Sequence, residues 1–283
     1  MWLNFHTHST FCDGKSTLEE IAEKAKFMNV RWLGFSSHAP LPFECLWSMK
    51  SENRNEYRNK IITLKKSNPS LEIYAGLEVD YIPKVTGPEQ FSKELDFTIG
   101  SIHFVEHFND GRGWEIDGPH TLFLEGLEKI FLNNIKDVIA RYFELTREMV
   151  ACSTPSVIGH LDKIKIQNSN AKFFAEDESW YRHELEKTLD YIDQSGCIIE
   201  VNTKGIYQKK TSTTYPSPWV LELIQKKNIP ITISSDAHHC DDLINHFPET
   251  AKELRRMGFL KIHVLHEGQW RPFKFNEHGI EIE

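Results

Sequence analysis

The chain has 283 residues, 40% of them hydrophobic, which is enough for one sizeable core, and a single domain over residues 1–283 is expected. Acidic residues outnumber basic ones by 41 to 33, a formal charge of −8, so no general field draws a polyanionic backbone and nucleic acid is not an expected partner. The opening residues lack a basic start and no run of about 18 apolar residues occurs, so no membrane partner and a cytoplasmic location are expected, with small phosphate esters still open as substrates because bound metals can reverse the field inside one pocket.

The first predicted strand, residues 2–6, runs into His6-Thr7-His8. Alternate strand residues share a face, so both imidazoles can point at one ion, and Asp13 follows in the loop. Ser16-Thr17-Leu18-Glu19-Glu20 resembles a capping box and opens a helix over 17–28. A strand at 31–36 leads to Ser37-His38, a helix follows over 52–66, and a strand at 71–79 carries Gly76-Leu77-Glu78-Val79-Asp80. The strand at 97–101 runs into Ile102-His103. The loop after it, 104–124, is long and rich in glycine and aromatic residues, the character of an active-site lid or of an irregular surface excursion.

A helix is expected over 126–150, then a strand at 157–160 with Gly159-His160-Leu161-Asp162, a helix over 179–194, and a strand at 197–201. Ser217-Pro218 opens a helix over 217–226. The strand at 231–234 leads to Ser235-Asp236-Ala237-His238, a helix covers 247–257, and an eighth strand is expected at 261–265. Strands alternating with helices specify an α/β fold with a parallel sheet. The five cysteines (Cys12, Cys45, Cys152, Cys197 and Cys240) show no CxxC and no paired spacing, so they read as small buried hydrophobes.

Six of the seven firm strands end in His, Asp or Glu, at the end of a barrel where active sites are built. A lone strand-end histidine is more often a hydrogen-bonded structural residue than a ligand, and HxH alone is weak; recurrence on six strands changes the balance. Nine positions can converge: His6, His8, Asp13, His38, Glu78, His103, His160, Asp236 and His238. That exceeds the three or four ligands of one catalytic zinc, so two to three divalent ions are expected, and imidazole with carboxylate suits Zn, Mn or Fe. Cys12 and Cys240 lie beside ligands in sequence but have no place in this set.

These motifs, together with His6 to Gly14, Ser37-His38-Ala39-Pro40 and Ser101-Ile102-His103-Phe104, resemble the polymerase-and-histidinol-phosphatase family from end to end. The resemblance implies a distorted seven-stranded (β/α) barrel, TIM-barrel-like, with three metals at the C-terminal ends of its strands. It implies one metal on His6, His8, Glu78 and Asp236, a second bridged by Glu78 and completed by His103 and His160, and a third on Asp13, His38 and His238. Glu200-Val201-Asn202-Thr203 and Tyr215-Pro216-Ser217-Pro218 are similar to motifs of the branch that hydrolyses histidinol phosphate, the small-molecule substrate expected here.

Two adjacent ions can share a water and lower its pKa to near neutrality for in-line attack on phosphorus, with Glu78 and Asp236 acting through the metals. In relatives the loop after Glu-x-Asn-Thr often carries an arginine, whereas here it reads Gly205-Ile206-Tyr207-Gln208-Lys209-Lys210, and Lys165, Lys209 and Lys210 are the candidate phosphate contacts. Glu115 is the candidate for the substrate amine, and Asn202 could line the pocket or cap a helix. Another small phosphate ester or a nucleotide as substrate, and a noncatalytic metal-binding module, are the alternatives; all nine ligand positions being filled argues against the module.

Overall fold

The computed structural model describes residues 1–282. Twelve strands form in chain order: β1 (Trp2–Asn4), β2 (Val30–Phe35), β3 (Glu72–Asp80), β4 (Phe97–Ser101), β5 (Phe104–His107), β6 (Gly113–Glu115), β7 (Val157–Ile158), β8 (Ile198–Asn202), β9 (Ile231–Ser234), β10 (Lys261–His266), β11 (Gln269–Asn276) and β12 (Gly279–Ile280). Seven of them make one parallel sheet in the order β1-β2-β3-β4-β7-β8-β9. Its two edges meet just past the strands, where Thr7 bridges Ala237; His8 N donates to Ala237 O (2.8 Å) and Ala237 N to His6 O (3.1 Å). The sheet is therefore nearly closed into a barrel, as expected, and the closure sets the first and last strand-end motifs side by side.

The barrel strands are buried along their lengths, as both faces of a parallel sheet must be. Phe5, Phe97 and Trp270 pack in the core with ring centroids 5.0–6.4 Å apart. Gly76 makes room for this: a Cβ there would stand 2.4 Å from the Phe97 ring.

The helices are α1 (Leu18–Phe27), α2 (Arg54–Ser67), α3 (Glu89–Ser92), α4 (His120–Lys129), α5 (Ile135–Cys152), α6 (Ser179–Ser195), α7 (Lys204–Tyr207), α8 (Pro218–Lys227) and α9 (Phe247–Arg256). The capping box at Thr17 and Glu20 forms, and Pro218 occupies the first turn of α8 after Ser217. None of the described helices is long and apolar enough to cross a membrane.

Three expectations change. The single helix over 126–150 is two, because Leu132 and Asn133 adopt positive φ (50° and 62°) and Asn134 starts α5 by accepting from Lys136 N. The expected eighth strand stays outside the barrel: β10 pairs antiparallel with β11, and its exposure alternates as a half-buried strand requires. The resulting three-stranded sheet sits at the start of the barrel strands, where His266 pairs with Glu72 (2.8 Å) and Ile280 N donates to Met1 O (2.7 Å). Finally, the segment 104–124 is an ordered β5–β6 hairpin leading into α4, with Trp114 and Ile116 fully buried, so it is a wall and not a free lid.

Candidate metal centre

All nine candidate ligands lie at the C-terminal end of the barrel and converge. His6, His8 and Asp13 follow β1, His38 follows β2, Glu78 lies on β3, and His103, His160 and the pair Asp236 and His238 follow β4, β7 and β9. The loop carrying Asp13 is drawn back onto the cluster, since Lys15 N donates to His238 O (2.7 Å) and a Cβ on Gly14 would stand 2.5 Å from the His8 backbone. Two of the nine, His160 (φ 22°) and Asp236 (φ 49°), hold a backbone conformation that costs about 1–3 kcal/mol and persists where surrounding contacts impose it.

Glu78 is the centre of the arrangement. Its Oε2 faces His6 Nε2 (3.1 Å), His38 Nδ1 (3.1 Å) and His8 Nε2 (3.4 Å); its Oε1 faces His160 Nε2 (2.9 Å) and His103 Nε2 (3.7 Å) and accepts from Ser101 Oγ (2.6 Å). The two carboxylate oxygens thus address separate sets of imidazoles. Asp236 Oδ1 lies 3.1 Å from His8 Nε2, and Asp13 Oδ2 lies 3.2 Å from His238 Nε2.

The donor set fits divalent metals. His6 Nε2, His8 Nε2 and His38 Nδ1 are buried without a hydrogen-bond partner, an expensive arrangement for polar atoms unless something accepts their lone pairs. Ligand atoms around a shared ion at about 2.0–2.2 Å lie roughly 3.0–3.5 Å apart, the spacing of most of these contacts. Among the nine candidates, three groups have ligand atoms within 4.8 Å of one another: His6, His8 and Asp236; Glu78, His103 and His160; and His8, Asp13, His38 and His238. They run parallel to the three sets implied by the family resemblance. Asp80 adds a fourth overlapping group with His38 and His103.

Protonation states favour the same use. Burial opposes charge throughout, yet His6 and His38 hold Glu78 well below the usual carboxylate range, and Lys204 and His6 do the same for Asp236. Burial and the neighbouring His238 lower His8 to about 4, and burial puts His38 well below its ordinary value. Ionised carboxylates and neutral imidazoles are the metal-binding forms. For His6, burial is outweighed by Glu200, Asp236 and Glu78, and for His103 by Asp80, which raises it to about 9; there a metal competes with a proton.

A buried outer layer aims the imidazoles, and the sequence analysis missed most of it. Glu200 lies beneath the centre, with Oε2 2.8 Å from His6 Nδ1 and accepting from Ser234 Oγ (2.6 Å), while Oε1 accepts from His160 N (2.6 Å). A carboxylate can only accept, so His6 donates through Nδ1 and turns the Nε2 lone pair inward. Asp80 treats His103 likewise, with Oδ1 3.0 Å from Nδ1 and accepting from His103 N (3.0 Å). Losing such a partner costs about 10–100-fold in metal affinity. Glu200→Gln should therefore weaken zinc binding by that factor in competition with a chelating indicator, while the nine candidate ligands stay untouched; unchanged affinity would remove the assigned role.

The substrate contacts need correction. Lys165 is buried against Asp162 (2.8 Å), Thr214 O (2.9 Å) and Ser217 Oγ, a structural ammonium tying α8 to the barrel, and not a phosphate contact. Lys209 and Lys210 are exposed and line a groove with residues 168–176 that includes none of the nine ligands. Asn202 is fully buried and committed internally: Nδ2 donates to Glu200 Oε1 (2.9 Å) and Oδ1 accepts from Lys204 N (2.9 Å), so it starts α7 and does not line a pocket.

Glu115 remains beside the centre. It accepts from Trp47 Nε1 (3.2 Å), and the Trp47 ring lies 4.6 Å from His38 and 5.6 Å from His103. Together they line a cleft of about 600 Å³ with Phe43, Phe104 and Leu122. The cations that do reach the ligands are Lys163 and Lys204, whose only sequence signal is proximity to His160 and Asn202.

Comparison with known proteins agrees with this geometry. A Deinococcus radiodurans protein named "Probable histidinol-phosphatase" is 27% identical over 265 residues, covering 89% of this chain and 92% of its own. The histidinol-phosphatase of Bacillus subtilis is 27% identical over 258 residues, covering 84% and 94%. The fold matches that of a Lactococcus lactis histidinol phosphate phosphatase solved with zinc, L-histidinol and phosphate, with a TM-score of 0.72 at 19% identity over 99% of each chain. The PHP domain model matches residues 4–204, a span that holds seven of the nine candidate ligands, and the chain belongs to the PHP domain family.

Proposed function

We propose that this chain is a metal-dependent phosphomonoesterase that hydrolyses L-histidinol phosphate to L-histidinol and phosphate, a step of histidine biosynthesis carried out in the cytoplasm by one domain spanning 1–283. The observation that carries the reading is Glu78, whose two oxygens address separate sets of buried imidazoles as a carboxylate bridging two ions must. The names of the relatives support the substrate.

Two to three ions of Zn, Mn or Fe would be held by His6, His8, Asp13, His38, Glu78, His103, His160, Asp236 and His238; zinc in the Lactococcus protein supports the first of these metals. Divalent ions bound there supply Lewis acidity and a nucleophile at neutral pH. The protein's own residues set the geometry. Glu200 and Asp80 fix the imidazole tautomers, and the barrel end holds the ligands rigid, so charge developing on phosphate oxygens meets a preorganised field.

A panel of phosphomonoesters at equal concentration tests the substrate: kcat/KM should be largest for histidinol phosphate. If p-nitrophenyl phosphate or a nucleotide is hydrolysed with a kcat/KM equal to or above that for histidinol phosphate, the substrate assignment fails and only the phosphoesterase survives.

Glu115 is the residue we assign to the substrate amine. Its carboxylate borders the cleft beside the centre, and burial raises its pKa, a shift that an ammonium ligand would reverse. A charge-assisted contact is worth about 1.5–3 kcal/mol, so Glu115→Gln should lower kcat/KM for histidinol phosphate by about one to two orders of magnitude and leave p-nitrophenyl phosphate nearly unchanged. Equal losses on both esters would take Glu115 out of substrate recognition.

A further inference from the structure

We propose that His239, Cys240 and Asp241 form a second metal site, outside the barrel-end centre, that takes one zinc-class divalent ion. Among the described residues, the other clusters of this kind draw on the nine candidate ligands or Asp80, and this one shares no residue with them. One donor atom from each of its three side chains lies within 4.8 Å of the other two. Cys240, which has no place in the barrel's ligand set, thereby acquires a role. The site stands one residue beyond His238, on the loop after β9.

The backbone brings the donors together. His239 is extended (φ −136°, ψ 145°) and a 3₁₀ turn, Cys240–Asp242, follows at once, so the chain doubles back and sets the Asp241 carboxylate against the His239 ring. The turn is pinned at two points: Cys240 N donates to Ser16 Oγ (3.0 Å) and Lys15 N donates to His238 O (2.7 Å). An arriving ion therefore meets donors already in place, at little cost in ordering.

Two contacts point to a cation. His239 Nδ1 accepts from Asp241 N (3.2 Å), which requires a lone pair on that nitrogen, and the same Nδ1 lies 3.4 Å from Asp241 Oδ2. A lone pair facing a carboxylate oxygen repels it unless a positive charge stands between them, and this separation is that of two ligand atoms on one ion with bonds of about 2.0–2.2 Å. Lys24 Nζ pairs with the other oxygen, Oδ1, and holds the carboxyl below its ordinary pKa, so Asp241 stays ionised while Oδ2 is left facing the imidazole. A turn cap and a surface ion pair account for Nδ1 and Oδ1, but not for the convergence of Oδ2 and the Cys240 thiol upon them. Thiolate with imidazole selects zinc and its softer neighbours over calcium or magnesium. Three protein donors leave a fourth tetrahedral position to water, and binding releases the thiol proton. His239 and Asp241 are about half exposed, so an ion held here exchanges with solvent.

Cobalt(II) in place of zinc tests the site in the full chain, because a cobalt–thiolate bond gives a near-ultraviolet charge-transfer band that imidazole and carboxylate ligands do not. The wild type titrated with cobalt should show the band, and Cys240→Ser should abolish it. His239→Ala and Asp241→Asn should each raise the cobalt concentration for half-maximal absorbance by at least about 10-fold, since even an outer-layer partner of a metal ligand is worth that much. Cys12→Ser and Cys152→Ser should keep the band at wild-type strength. A wild type without the band, or a band that survives Cys240→Ser, overturns the site. So does a band lost in Cys240→Ser but formed with wild-type cobalt affinity in either His239→Ala or Asp241→Asn, the behaviour of a lone surface thiol. If Cys240→Ser does not fold, His239→Ala, at an exposed position, decides. None of these outcomes depends on which ester the chain hydrolyses, so the site and the proposed activity stand or fall separately.

Discussion

Exhaustive chelation should reduce the phosphomonoesterase activity of this chain to the background rate, and added zinc or manganese should restore it. A divalent ion lowers the pKa of a bound water to near 7 and so makes it a potent nucleophile at neutral pH. Cys12, the thiol nearest the ligands, has a pKa raised to about 11 by burial and the nearby Asp13, so it is a neutral thiol 3.5 Å from His8 Nδ1. The loss should reach at least about 10³-fold, since removing even one electrostatic stabiliser costs 10²–10³. The apo chain should also melt at a lower temperature, because ions that bind only the folded state stabilise it by mass action. Full activity in protein shown by elemental analysis to hold less than a tenth of an ion per chain would sink the metal reading.

The second large effect should come from Glu78→Gln. The amide keeps the shape but lacks the charge, and turns a donor toward imidazole nitrogens that face Oε1 and Oε2 from two sides. One substitution therefore disturbs two ion sites at once. Glu78 is almost fully buried, so its removal also leaves His6 and His38 without the carboxylate that now faces them. We expect kcat to fall by about 10²–10³ or more and zinc content to drop by at least one ion per chain, far beyond the effect of Lys209→Met. Normal turnover together with normal zinc content would remove Glu78 as the bridge.

Much of this was legible in the amino-acid sequence. His6 and His8, two residues apart at a strand end, can share a face, and the same holds for Asp236 and His238; the order of strand-end motifs places all nine candidates at one end of the barrel. The parallel α/β sheet followed from alternation of short apolar runs with helical stretches, and its closure into a seven-stranded barrel from the family resemblance. The capping box at Thr17 and the start of α8 at Ser217-Pro218 were local signals, and local signals survive because their partners are three residues away or fewer.

The misreadings share one cause, which is dependence on a distant partner. The break between α4 and α5 needs Leu132 and Asn133 to turn where the hairpin of 104–115 packs Trp114 against α4, and Gly126 admits that indole. The segment 261–266 has the composition of a barrel strand but finds its hydrogen bonds in β11. Among the lysines, Lys163 and Lys165 stand two residues apart in a short 3₁₀ segment, and nothing local says that the first meets Asp117 and His103 while the second meets Asp162 and Ser217. A lysine stem is long enough to reach several partners, and the choice falls to whichever loop the fold brings within range.

By itself, then, the sequence determined the parallel α/β sheet, the end at which chemistry is placed and the nine side chains that can bind metal, because two-residue periodicity and strand-end position are properties of the backbone alone. Tertiary structure alone decided the division of Glu78's two oxygens between imidazole sets, the buried support from Glu200, and the cations that reach the centre, because each depends on distances between residues tens to hundreds of positions apart, set only when the first and last strands close the barrel.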